Sequence, residues 1–169
     1  PTLNKKLSHS LSTPGKTSII IPLGEYKITR TINSLNIIFR SCTSELIMDQ
    51  NKKRLFEKDK NEYTFRSLNS LLKSATEAKK KFDHISYKII VTDTNSPERD
   101  LVQIKNILSK YKIENKLIKI NLDDFRDKIF GKYTPAKFAN MANLYSSLIL
   151  AKDENNDLIY FVEDDYIHT

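Results

Sequence analysis

Asp157-Leu158-Ile159-Tyr160-Phe161-Val162-Glu163-Asp164-Asp165-Tyr166-Ile167-His168 is the stretch on which the fold turns. Its apolar run, Leu158 to Val162, is continuous rather than alternating and ends abruptly at Glu163, Asp164 and Asp165. A short continuous run predicts a parallel strand buried on both faces. The carboxylates then project from the strand's C-terminal edge, where open α/β sheets bind ligands. Crowded anions repel one another and lose hydration wherever they are partly buried. A hard divalent cation, Mg²⁺ or Mn²⁺, bringing phosphates with it, relieves both costs. The plainer alternative is a strand followed by a solvated acidic turn.

Working outward, Thr134-Pro135 reads as the start of a helix, with Phe138, Met141, Leu144, Tyr145, Leu148 and Ile149 expected on its core side. Lys116 to Asn121 reads as a strand, and Asp123-Asp124 as the start of a helical turn. Ser96 is placed to cap a helix with Pro97 at its first position. Leu101, Ile104, Leu108 and Tyr111 then form that helix's apolar face. Tyr87 to Asp93 is a buried strand ending in an acid. Phe65, Leu68, Leu71, Leu72, Ala75 and Phe82 fall at helical spacing over about 62–82. Leu35 to Cys42 is a further strand, and Thr17 to Leu23, containing Ile19-Ile20-Ile21-Pro22, is another candidate for the first strand of the sheet. Residues 1–16 read as a flexible leader. From Leu35 onward, strands and helices alternate, which predicts a parallel sheet with right-handed crossovers. Cys42, Asp93 and the 163–165 acids then share one rim.

The 169 residues suit a single domain, and 39% hydrophobic with 29% charged content suits a globular one. No apolar run approaches the roughly 20 residues that span a bilayer, and the N-terminal segment lacks a signal-peptide pattern. Cys42 is the only cysteine, so no intrachain disulfide forms; a small buried residue in a reducing cytoplasm is expected. The net charge of +7 draws on runs such as Lys52-Lys53-Arg54 and Lys79-Lys80-Lys81. These read as solvated faces. They lack interleaved stacking aromatics, so no nucleic-acid partner is expected. Peripheral contact with an anionic membrane stays open, placing the chain in the cytoplasm or at the membrane's inner face.

Other motifs weigh less. Thr13-Pro14-Gly15-Lys16-Thr17 imitates the end of a phosphate-binding loop, but Ser10 stands where the leading glycine belongs and the strand follows the loop instead of preceding it. Asp93 reads either as an acceptor for a base or ribose or as a turn-forming residue bonded to its own backbone. Asn140 and Asn143 sit one helical turn apart; rim-facing contacts to a sugar or phosphate oxygen compete with ordinary exposed asparagine, the simpler reading. His168 suits a metal or diphosphate contact, or a surface position. His9 and His84 have no partner pattern.

Together these features resemble a known family. Tyr160-Phe-Val-Glu-Asp-Asp-Tyr-Ile-His168 is similar to the acidic metal-binding signature of GT-A-fold glycosyltransferases, especially a bacterial group close to the family-2 enzymes. Asn36-Ile-Ile-Phe-Arg-Ser-Cys42 resembles that group's first strand, and Leu68-Asn-Ser-Leu71 its first helix. Ile89-Ile-Val-Thr-Asp93 resembles its second strand with a nucleotide-contacting acid, and Asn143-Leu-Tyr-Ser-Ser147 the helix before the metal strand. The likeness spans residues 35–168, and the motif opens on Glu163 where the family carries Asp. It implies a Rossmann-like three-layer α/β sandwich with a mostly parallel sheet, of which residues 17–169 form the donor-binding half, cut short after the metal strand. It further implies transfer of a sugar from a nucleotide-diphosphate donor, such as a UDP-sugar, to an acceptor hydroxyl on a cell-surface glycan or lipid-linked precursor. Donor binding would fall to Arg40, Ser41, Asp93, Asn143 and Asp164. Mg²⁺ or Mn²⁺ would sit on Asp165 with Glu163. The general base would lie beyond Thr169, leaving this stretch weak in turnover. A nucleotidyltransferase is the nearest alternative, but it ordinarily needs a glycine-rich loop after the first strand, and the three glycines here form no cluster. A non-catalytic binding module is the other.

Overall fold

The computed structural model describes residues 31–44, 59–154 and 156–169. The candidate leader, the candidate strand at 17–23, the loop imitation at 13–17, His9 and the basic run at 52–54 lie outside them. The described elements run β1 (Ser34–Ser41), α1 (Lys60–Lys81), β2 (Ser86–Asp93), α2 (Glu98–Leu108), β3 (Glu114–Lys119), a 3₁₀ turn (Leu122–Phe125), α3 (Pro135–Asp153) and β4 (Leu158–Glu163). The strands form one sheet in the order β3-β2-β1-β4, every neighbouring pair parallel. This is a Rossmann-like α/β sandwich, and the strand-helix alternation from residue 35 holds throughout.

The chain steps outward from β1 to β2 to β3, then returns through α3 to place β4 on the other side of β1. Parallel strands need such crossovers, and ligands bind outside the strand ends where the direction of travel reverses. Here the reversal lies between β1 and β4. β1 therefore ends at the switch point, and Glu163 ends β4 beside it.

Side chains alternate across the sheet, and its two faces differ in chemistry. One face carries Ile37, Phe39, Tyr87, Ile89, Val91 and Val162, packed against Leu68, Leu71 and Leu72 of α1 and Leu101, Ile104 and Leu108 of α2. At about 25 cal/mol per Å² of apolar surface removed from water, this layer is the main stabilising term. The opposite face carries Asn36, Arg40, Lys88 and Thr92 beside Ile38 and Ile90, and α3 lies over it. A buried polar face needs hydrogen-bond partners. Accordingly α3 turns Ala139, Ala142, Asn143 and Ser147 inward. The expected core residues Leu144, Tyr145, Leu148 and Ile149 instead face outward, at 43%, 38%, 52% and 44% exposure. Phe138 and Met141 are half-buried. Most of the apolar stripe of α3 thus faces away from the sheet, opposite to the expected side.

Further expectations need correction. β4 is not buried on both faces: it pairs with β1, and Leu158, Tyr160 and Phe161 are 45%, 47% and 41% exposed, leaving only Val162 buried. Among the described residues it is an edge strand. Ser96 does not cap α2; Pro97 occupies that position, because the Ser96 hydroxyl is used by Asp93. Tyr111 falls beyond α2, still packed against the core, its hydroxyl donating to Asn69 Oδ1 at 2.8 Å. β3 begins at Glu114, two residues before the expected Lys116. Cys42 is half-buried rather than buried. Thr134 does cap α3, accepting from the Lys137 amide at 3.3 Å ahead of Pro135.

Candidate functional site

The ladder fixes which strand ends meet. Ser41 is paired with Asp93, and Arg40 with Glu163. The polar ends of β1, β2 and β4 are therefore level at one rim.

Asp93 is fully buried there. Its Oδ2 accepts from Ser41 Oγ at 2.7 Å and Ser96 Oγ at 2.6 Å, and its Oδ1 from the Ser96 amide at 3.2 Å. The turn between them passes through Asn95 at φ 61°, a left-handed conformation that asparagine tolerates. Burial pushes the Asp93 carboxyl above the ordinary aspartate range against the pull of the serine bonds, and the nearby Asp164 carboxylate pushes it further. Asp93 does bond its own turn, as one reading of the sequence held, and the Asp164 carboxylate is near enough to act on it.

The residues leaving β1 connect the neighbouring acids. The Cys42 amide donates to Asp164 Oδ2 at 3.3 Å, and the Thr43 amide to Ser96 Oγ at 2.9 Å. Thr43 Oγ1 donates to Asp100 Oδ2 at 2.6 Å; Asp100 lies buried in the first turn of α2. Asn61 Nδ2 reaches Asp100 Oδ1 at 3.4 Å. Consecutive residues of β1's exit thus touch acids or their partners on β2, α2 and the turn after β4.

The three consecutive acids have separate surroundings. Glu163 Oε1 pairs with an Arg40 guanidinium nitrogen at 3.3 Å, and that nitrogen also donates to Asn140 Oδ1 at 2.9 Å. Asp164 Oδ2 accepts from Thr64 Oγ1 at 2.9 Å and lies 3.6 Å from Lys60 Nζ. Asp165 is exposed and has no ion pair among the described residues. Lost hydration, then the Asp164 and Glu163 carboxylates, push its pKa up, with Lys60 opposing.

Asn143 sits just beneath the rim at 3% exposure. Its Nδ2 donates to the carbonyls of Thr92 and Ser41 at 3.1 and 3.2 Å, and its Oδ1 accepts from Thr92 Oγ1 at 2.7 Å. It bolts α3 to the ends of β1 and β2, which overturns the exposed-asparagine reading. Further down the same layer, Glu154 accepts from Lys88 Nζ at 3.0 Å and Asn36 Nδ2 at 3.3 Å. The Lys88 bond holds the Glu154 carboxyl below its usual range.

Arg40, Ser41, Asp93, Asn143, Glu163, Asp164 and Asp165 are therefore gathered around one rim. Asp93 and Asn143 are enclosed, while Glu163 and Asp165 are open to solvent. His168 is not part of this group. The chain after the acids folds back along α1, where the His168 amide donates to Ser70 Oγ at 3.0 Å and Nε2 meets Tyr160 Oη at 3.3 Å. Ser70 is ten residues beyond Lys60, roughly 15 Å down the helix. Burial holds the His168 pKa below its usual value.

Sequence reasoning missed Thr43, Lys60, Thr64 and Asp100. Thr64 left a faint signal: a β-branched polar residue near the start of a long helix, where propensity alone does not favour it. Asp100 reads locally as an acid favoured by the helix dipole.

The oxygen donors Glu163, Asp164 and Asp165 suit a hard divalent cation. They are not preassembled: among the described residues no group of three or more His, Cys, Asp or Glu side chains is placed to hold a metal ion. The pairing of Glu163 with Arg40 and of Asp164 with Lys60 and Thr64 explains why. A cation would be taken first by Asp165, the acid whose ionisation the surroundings disfavour. A separate apolar groove of about 240 Å³ lies on the outer side of α3, between Leu144, Leu148 and Phe130. Among the described residues no helix is long and apolar enough to cross a membrane. No protein-family model, curated protein or solved structure matches the chain.

Proposed function

We propose that this chain carries the donor-binding site of a metal-dependent glycosyltransferase acting on a nucleotide-diphosphate sugar. The observation that carries the reading is the strand register, which pairs Ser41 with Asp93 and Arg40 with Glu163 and so brings Asp93 and the 163–165 acids to one rim beside the switch point. Chains of this topology place ligands at that position. Asp93, steadied by Ser41 and Ser96, would orient the nucleoside. Asp165, with Glu163, would hold Mg²⁺ or Mn²⁺, and the bound ion would supply neutralisation of the departing diphosphate. Arg40 and Lys60 add positive charge at the same rim. Asn143 supports the floor of the site by tying α3 to β1 and β2. The acceptor would be a hydroxyl, consistent with a glycan or lipid-linked precursor. The nucleotidyltransferase alternative gains nothing, since no glycine falls between β1 and α1.

The test is calorimetric titration with UDP and other nucleoside diphosphates, with Mn²⁺ and with chelator. Binding should require the metal, and Asp165→Asn should weaken its metal-dependent part by about tenfold or more, equivalent to about 1.4 kcal/mol. Equal affinity in chelator, or no binding of any nucleoside diphosphate, refutes the reading.

A further inference from the structure

Consecutive acids on a strand end cannot all face one way, and here their different anchors sort them. Glu163 is the last residue of β4 and points to the α3 side, where Arg40, its neighbour on β1, receives it. Asp164 turns to the α1 side. There it meets the Cys42 amide, Lys60 and Thr64. Thr64 is fully buried, one turn into α1, and its Oγ1 lies 2.9 Å from Asp164 Oδ2 and 3.3 Å from the Lys60 carbonyl. A hydroxyl has one proton to donate. The carboxylate is both closer and charged, so it takes that proton, and a charge-assisted bond is about twice as strong as a neutral one. The Thr64 hydroxyl therefore fixes the turn to α1 rather than merely satisfying its own helix.

We propose that Thr64 is a positioning residue: by anchoring Asp164 to α1 it sets the direction in which Asp165 is presented at the rim. This rests on the metal-dependent reading above and adds the residue that orients its principal ligand. Asp164 is then a fixed point of the fold, shared between β1's exit and α1, and Asp165 is left as the principal ligand beside Glu163. Lys60 is a second holder of Asp164, but its charge also acts on the rim directly, so Thr64 is the cleaner residue to vary.

The experiment compares wild type, Thr64→Val and Thr64→Ser. Mn²⁺ alone is the probe, its free concentration read by electron paramagnetic resonance. Amide exchange of residues 163–166 and thermal midpoints are measured alongside. Thr64→Val keeps the side chain's shape and removes the hydroxyl. It should bind Mn²⁺ roughly tenfold more weakly and exchange faster in the acidic turn, and Thr64→Ser should recover most of both. Wild-type Mn²⁺ affinity in Thr64→Val overturns the inference and leaves the metal reading standing. Equal weakening in Thr64→Val and Thr64→Ser, in step with equal loss of thermal midpoint, also overturns it, because a packing defect alone behaves that way. A wild-type protein that binds no Mn²⁺ overturns both.

Discussion

Replacing Asn143 with Asp changes the shape of a buried side chain hardly at all and reverses its hydrogen-bonding character. Nδ2 now donates to the Thr92 and Ser41 carbonyls at 3.1 and 3.2 Å. In the variant a carboxylate oxygen would face those same two carbonyl oxygens. Two net hydrogen bonds are lost, about 1 kcal/mol each. An uncompensated charge is left at a position 3% exposed, and a buried unpaired charge typically costs about 3–5 kcal/mol, the lost hydrogen bonds included. The Thr92 Oγ1 bond to Oδ1 survives. The expected loss for Asn143→Asp is therefore about 3–5 kcal/mol at pH 7. Asn143→Ala, which removes the bonds without adding charge, should lose about 2–3 kcal/mol. Burial raises the pKa of the introduced carboxyl, so its excess cost over Asn143→Ala should shrink as the pH is lowered and the group protonates. Urea denaturation of the three proteins at pH 7 and near pH 4.5 reads all of this from the midpoints. If Asn143→Asp lies within about 0.5 kcal/mol of wild type at pH 7, the side chain is exposed and the account of α3 is wrong.

The Asp93 carboxyl is raised above its ordinary 3.8, so the folded state holds that proton more tightly than the unfolded chain. Its contribution is fully present below 3.8 and is lost as the pH rises through the raised value. The stability of wild type relative to Asp93→Asn should therefore fall as the pH climbs from about 3.5 toward 7, and a flat difference across denaturation series contradicts it. On α3, Leu148→Lys should change stability by no more than about 0.5 kcal/mol, whereas Ala142→Leu should cost about 1–3 kcal/mol through overpacking. Thermal or urea unfolding that ranks them the other way restores the stripe orientation expected from the sequence.

Much of the scaffold was legible before any coordinates. The run ending in Asp93 carried its buried apolar residues, both that run and the one ending in Glu163 carried their terminal acids, and parallel alternation alone brings such ends to one rim. The orientation of α3 was not legible, because apolar residues nearly surround that helix: Leu144 and Leu148 look like core until the face below is known. That face is polar through Asn36, Arg40, Lys88 and Thr92, and their common side emerges only when β1 and β2 are paired in register. The edge position of β4 was hidden for a similar reason, since Leu158–Val162 looks the same whether one neighbour or two flank it. The separate fates of Glu163, Asp164 and Asp165 were out of reach because their partners, Arg40 and Thr64, lie 123 and 100 residues away in the chain.

The pairing of Ser41 with Asp93 and of Arg40 with Glu163 ties chemistry to a count along the backbone. One extra residue inserted between Asn36 and Phe39 would invert everything after it. The guanidinium would be driven among the leucines of α1 and α2, Phe39 would land on the asparagine floor, and the serine that steadies Asp93 would point away from it. Mutational drift can change what β1 carries, one position at a time, but it cannot change the strand's length without parting Asp93 from Ser41 and Glu163 from Arg40 at once.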